Sequence, residues 1–167
     1  LWNDIVPESN RNYQPQEAAK IPEHVEDFLK FYEGMTGKPL DEEGMLEQSA
    51  RVHTLQRLMC VMLGYGRKKD DFPPYRAVGP VTEEEYESRA ERYDKQLKED
   101  IGFDPEGRST AEKMKALREY REDRYRKVMK AAYKRKGWDD NGIPTLERLK
   151  ELGIDLPELV KIVKESA

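Results

Sequence analysis

The sequence predicts an all-α fold of about five or six helices, with a long buried central helix and a charged antiparallel helical hairpin. Three observations carry that expectation. Apolar residues recur at spacings of three and four along most of the chain, and no β alternation lasts more than a few residues. Capping boxes stand at the start of two of the periodic runs, Thr82 with Glu85 and Ser109 with Glu112. Glycines and prolines punctuate the ends of the runs.

Residues 1–21 are rich in Asn, Pro, Gln and Ser and lack an apolar period, which reads as an extended connection from an upstream domain. Residues 22–167 form the helical domain. Pro22 suits a first helical position, Val25, Phe28, Leu29, Tyr32 and Met35 then recur at three and four, and Gly37 supplies the stop. The central helix, Met45 to Leu63, follows a cap at Asp41. Met45, Leu46, Val52, Leu55, Met59, Met62 and Leu63 make its expected buried face, which Leu58, Cys60 and Val61 widen near the end. Arg67 to Pro80 holds Pro73, Pro74 and Pro80 and is expected to be a stiff charged loop, because each proline removes a donor and restricts its predecessor.

From Thr82 one narrow stripe (Tyr86, Ala90, Tyr93, Leu97, Ile101) runs to Gly102, and after a turn a second helix runs from Ser109 to Gly137. That helix spans roughly 28 residues, or about 42 Å at 1.5 Å per residue. Residues 82–107 carry ten acids against four bases, and residues 109–136 carry eleven bases against four acids. Opposite charges should therefore face one another across a seam lined by Tyr86, Tyr93, Tyr120 and Tyr125. Thr145 caps a last short helix that stops at Gly153, Pro157 opens a further segment, and Trp138 and Ile143 supply bulk for docking the turn before them.

The chain is 37% hydrophobic and 38% charged, with a mean hydropathy of -0.97. Such a composition suits long solvated helices, or a peripheral piece of a larger protein whose apolar partners lie on the remainder. A start at Leu1 fits the second reading, with sequence upstream. The net charge of -4 provides no whole-molecule attraction to nucleic acid or anionic lipid. Beside its acidic neighbour the basic run near Arg118 to Lys136 reads as half of a charge ladder, so no nucleic-acid partner is expected. No apolar run approaches the ~20 residues needed to span a bilayer, so no membrane partner is expected either. A single cysteine excludes a disulfide within the chain and a four-thiolate zinc site, and a reducing, cytoplasmic setting follows.

Candidate chemistry is sparse. Asp139-Asp140-Asn141-Gly142 suggests a calcium loop, but with Gly142 at position six, Gly137 and Arg148 occupy positions one and twelve, where carboxylates are required. A structural turn is the better reading. His53 and Cys60, seven apart on one helix, are too distant to share a metal. No phosphate loop, carboxylate pair or Ser/His/Asp order is present. His53, Gln56 and Arg57 are polar positions on an apolar helix, facing solvent or a neighbouring domain's cofactor.

Two stretches, taken together and in order, resemble a known family. The first is Ala50-Arg-Val-His-Thr-Leu-Gln-Arg-Leu58 followed by Gly66-Arg-Lys-Lys-Asp-Asp71 and then Pro73, and the second is Tyr133-Lys-Arg-Lys-Gly-Trp-Asp-Asp-Asn-Gly-Ile-Pro-Thr145 running into Leu146-Glu-Arg-Leu-Lys-Glu-Leu-Gly153. Both resemble the C-terminal end of the aldehyde:ferredoxin oxidoreductase family of tungsten-pterin enzymes. The resemblance implies a two-electron oxidoreductase with a tungsten (or molybdenum) bis-pterin and a [4Fe–4S] cluster. Its partners would be the upstream domains of the same polypeptide and ferredoxin or another electron-transfer subunit. It also implies that this fragment is inactive alone and binds no cofactor by itself, the last cluster cysteine lying upstream of Leu1. The insertion from Thr82 to Lys136 is similar to larger relatives such as the tungsten subunit of class II benzoyl-CoA reductase. Channel-lining or interdomain candidates are His53, Arg57, Arg67, Lys68, Asp70 and Asp71. The competing expectation is a free-standing helical adaptor without catalytic activity.

Overall fold

The computed structural model describes residues 22–166, with side chains from Glu26 onward; the connection expected over residues 1–21 lies outside this range. In chain order the helices are α1 (Pro22–Thr36), α2 (Glu42–Met62), the single turn α3 (Lys68–Asp71), a 3-10 turn (Tyr75–Val78), α4 (Glu83–Glu87), α5 (Ala90–Gln96) leading into a π-helical turn (Leu97–Ile101), α6 (Thr110–Lys136), α7 (Leu146–Glu151) and α8 (Pro157–Ser166). The described residues contain no strand, and an isolated antiparallel bridge joins Trp138 to Pro144. None of these helices is long and apolar enough to cross a membrane. The chain divides into two compact units, Leu1–Lys68 with Lys130–Ala167, and Lys69–Met129.

In the first unit, Asp41 caps α2 by accepting from the Gly44 N–H at 2.8 Å. The core of the unit is Leu58, Leu149 and Val163, with Leu146, Ile154, Leu159, Val160 and Ile162 packed around them. On α2 the buried line is Thr54, Leu58 and Val61. The expected core face lies elsewhere. Leu46, Val52, Leu55, Met59, Met62 and Leu63 are all exposed, between 42% and 63%. The reason is that α7 and α8 bring Leu149 and Val163 onto Leu58, which stands roughly a quarter of a turn round the cylinder from the Leu55–Met59 line. On α1 the outward apolar residues are Phe28, Phe31 and Met35, while Leu29 and Tyr32 are half-buried.

The second unit has its own core of Tyr86, Tyr93, Leu97 and Leu117. The Thr82 cap forms as its sequence predicts, its Oγ1 accepting from the Glu85 N–H at 3.2 Å. The helix expected to run unbroken to Ile101 is instead broken after Glu87. Ser88 Oγ donates to the Glu85 carbonyl at 2.8 Å, and Arg89 takes φ -137°, outside the helical range. The break lets the Tyr86 and Tyr93 rings meet at 5.2 Å. Tyr86 Oη donates to Asp94 at 2.6 Å, and Lys113 reaches the other Asp94 oxygen at 3.2 Å.

The tyrosines do not line one seam. Tyr125 donates to the Asp71 carbonyl at 2.7 Å, and Tyr120 accepts from Arg124 at 2.9 Å. Several α6 cations pair within their own helix, among them Lys115 with Glu119, Arg126 with Glu122 and Lys127 with Asp123. Partners four residues away are already in place on a helix, so such pairs cost little ordering entropy. The stretch Arg67 to Pro80, expected to be non-helical, contains α3 and the 3-10 turn. Arg118 holds that turn, donating to the Tyr75 carbonyl at 2.7 Å and the Pro80 carbonyl at 3.0 Å with its guanidinium over the Tyr75 ring.

Candidate functional site

The two motif stretches picked out in the sequence meet on one side of α2, at Arg57. Its Nε donates to the Gly142 carbonyl at 2.8 Å, and its guanidinium carbon lies 4.7 Å from the Trp138 ring centre and 5.9 Å from that of Tyr133. A planar, permanently charged group suits both tasks, hydrogen bonding in its own plane and stacking through its faces. His53, one turn earlier, stacks on Trp138 at 5.4 Å with 14° between planes, and Lys136 Nζ lies 5.3 Å from the same indole. Burial, reinforced by Lys136 and then Arg57, holds the His53 imidazole below its ordinary value of 6.5. It is therefore a neutral aromatic plate at physiological pH.

The turn that receives these side chains is built locally. Asp139 accepts from the Asn141 N–H at 2.9 Å and the Ile143 N–H at 2.8 Å, while Thr145 Oγ1 donates to the Gly137 carbonyl at 2.9 Å and accepts from Arg148 N–H at 3.2 Å. These are the bonds of a structural turn, as its sequence suggested. Trp138 and Ile143 are buried, at 8% and 2% exposure, and so dock the turn as expected. The indole N–H of Trp138 is buried without a hydrogen-bond partner, so stacking holds this ring.

The six sequence candidates differ in exposure and in which unit holds them. His53 and Arg57 are half-buried against the unit's own turn, while Lys68 and Asp70 are exposed. The Lys68 backbone N–H donates to the Asn141 carbonyl at 2.8 Å, fixing the loop that carries its side chain. Arg67 is half-buried, and Asp71 offers its carbonyl to Tyr125. Tyr133, Lys136 and Gly142 stand within the second motif stretch, but the sequence does not join them to His53 and Arg57. The available signal was the run Tyr133-Lys-Arg-Lys-Gly-Trp138, which places an aromatic and a cation ahead of the docking Trp.

Among the described residues, no three His, Cys, Asp or Glu side chains are placed to hold a metal ion. The chain's single cysteine does not fit the four-thiolate requirement of a [4Fe–4S] cluster. What the cluster around Arg57 offers is position and charge rather than a nucleophile or a base.

A family model described as aldehyde ferredoxin oxidoreductase, domains 2 & 3, matches residues 12–154. No curated protein and no solved structure matches the chain.

Proposed function

The chain belongs to the aldehyde ferredoxin oxidoreductase family, and from that premise we propose that it is the C-terminal helical part of a cytoplasmic tungsten-pterin, iron–sulfur oxidoreductase. Its role is to wall the cofactor and substrate channel of the whole enzyme. The reaction is the oxidation of an aldehyde with water to a carboxylic acid, releasing two protons and two electrons, the electrons passing one at a time to ferredoxin. Reduction of an aromatic acyl-CoA is the variant that the Thr82–Lys136 insertion brings into view.

One observation carries this reading. Val52, Leu55, Met59 and Met62 on α2, with Leu63 at its C-cap, form one apolar line with exposures from 42% to 61%. Single exposed apolar residues are ordinary, whereas a contiguous line of five marks a contact surface. The matched description names more than one domain of a larger enzyme, which supports the remainder of the same polypeptide as the occupant. The charged segment Arg67–Asp71 takes the channel-facing or interdomain role, together with His53 and Arg57.

The test is metal analysis of the full-length protein, together with turnover of a simple aldehyde using a viologen dye as acceptor. Tungsten or molybdenum with iron, and dye reduction, are expected. Leu55→Glu with Met59→Glu should lower the recovery of metal-loaded full-length enzyme severalfold, because the pair would bury two charges at the contact. An intact protein free of tungsten, molybdenum and iron overturns the reading in favour of a helical adaptor.

A further inference from the structure

We propose that Arg57 is a positioning residue, one that sets the backbone of Gly66–Lys68 against the Gly137–Thr145 turn and so decides where the exposed Lys68 ammonium is presented. This rests on the proposed function only in giving Lys68 an anionic partner, the carboxylate formed in the channel. The positioning itself rests on geometry.

Arg57 touches both segments. On one side it donates to the Gly142 carbonyl and lies over Trp138 and Tyr133. On the other it is close to the loop: a Cβ at Gly66 would stand 3.5 Å from Arg57 Cδ and 3.6 Å from Nη1, and 2.8 Å from Cys60 Cβ. A methyl there would overlap Cys60 and rest in ordinary contact on the Arg57 stem, so the loop backbone passes close beside Arg57. Two residues on, Lys68 N–H reaches Asn141 O at 2.8 Å, one residue before the carbonyl that Arg57 holds. Arg57 is thus packed between the two strands of chain that this hydrogen bond joins. If the guanidinium is lost, Gly142 loses its donor and the loop its floor at once. Lysine cannot replace it, since an ammonium on a flexible stem cannot hydrogen-bond sideways and stack on two rings together.

The experiment uses the full-length enzyme, wild type beside Arg57→Gln, Arg57→Lys and Lys68→Gln, with hydrogen exchange and steady-state kinetics on each. Exchange at the Lys68 and Ile143 amides should rise at least tenfold in both Arg57 variants, while the amides of the Leu58 turn and of α7 keep their protection. With a simple aldehyde and a viologen dye, product inhibition by the corresponding carboxylate should weaken severalfold in the Arg57 variants and in Lys68→Gln, with metal content unchanged. Unchanged exchange at Lys68 in Arg57→Gln overturns the positioning role. So does protection lost uniformly across the unit, which would make Arg57 a general stabiliser. A change in exchange as expected, with carboxylate inhibition unaltered in Lys68→Gln, leaves the positioning standing and removes the channel role from the loop.

Discussion

Replacing Gly142 by alanine tests the packing around Arg57 most directly. Gly142 has φ +81°, in the left-handed region, where a Cβ costs about 1–2 kcal/mol. The added methyl would also press on Arg57 Nη2 and come within 2.8 Å of Tyr133 Cζ and 2.9 Å of its Oη. Both neighbours are held by ring contacts, so relieving the overlap should cost roughly 1–3 kcal/mol more, as overpacked cores do. The sum, about 2–5 kcal/mol, is a large share of the ~5–15 kcal/mol that keeps a domain folded. Gly153 is the matched control, with φ +63° and nothing within 4 Å of an added Cβ. Gly153→Ala should therefore lose only the backbone cost. Urea unfolding of the two variants reads the difference, which at an m value of about 1–3 kcal/mol/M separates their midpoints by roughly 0.3–3 M. Equal midpoints would refute the claim that Arg57 and Tyr133 close over the turn. In Gly142→Ala with Arg57→Ala, part of the alanine penalty should disappear, a non-additivity expected of groups in contact.

Other consequences can be checked in the same chain. Leu58→Ala removes a fully buried side chain from the Leu149–Val163 core and should cost about 2–5 kcal/mol by urea unfolding. His53 is held below 6.5 by burial and by Lys136 and Arg57, so on acidification the unfolded chain takes up the proton first. Its contribution to stability is complete above about pH 6.5 and is lost as pH falls through the lower folded value. His53→Gln should flatten that part of a stability–pH profile, and an unchanged slope would show that folding does not hold the imidazole below its ordinary value. Asp94→Asn keeps an acceptor for Tyr86 but leaves Lys113 without its carboxylate, costing about 1–3 kcal/mol. Burial and Asp94 together push the Tyr86 phenol well above the ordinary tyrosine range, so it should stay neutral through pH 11 in an absorbance titration.

The longer helices and their caps were legible in the residues themselves. Asp41, Thr82 and Thr145 each cap the helix they were expected to open, because a cap is a bond between near neighbours and needs no tertiary partner. The two stretches that mark the family were legible for the same reason, being short and local. The tertiary structure alone decided which side of α2 is buried. The apolar periodicity of Val52, Leu55, Met59 and Met62 was real, but periodicity says only that a face avoids water, not which neighbour provides the shelter. Leu149 and Val163, about a hundred residues further on, chose the Thr54–Leu58–Val61 side. The same distance hid the role of Arg57. A cation on an apolar helix has no evident partner in its own sequence neighbourhood, and Gly142, Tyr133 and Trp138 come to it only when the chain folds back.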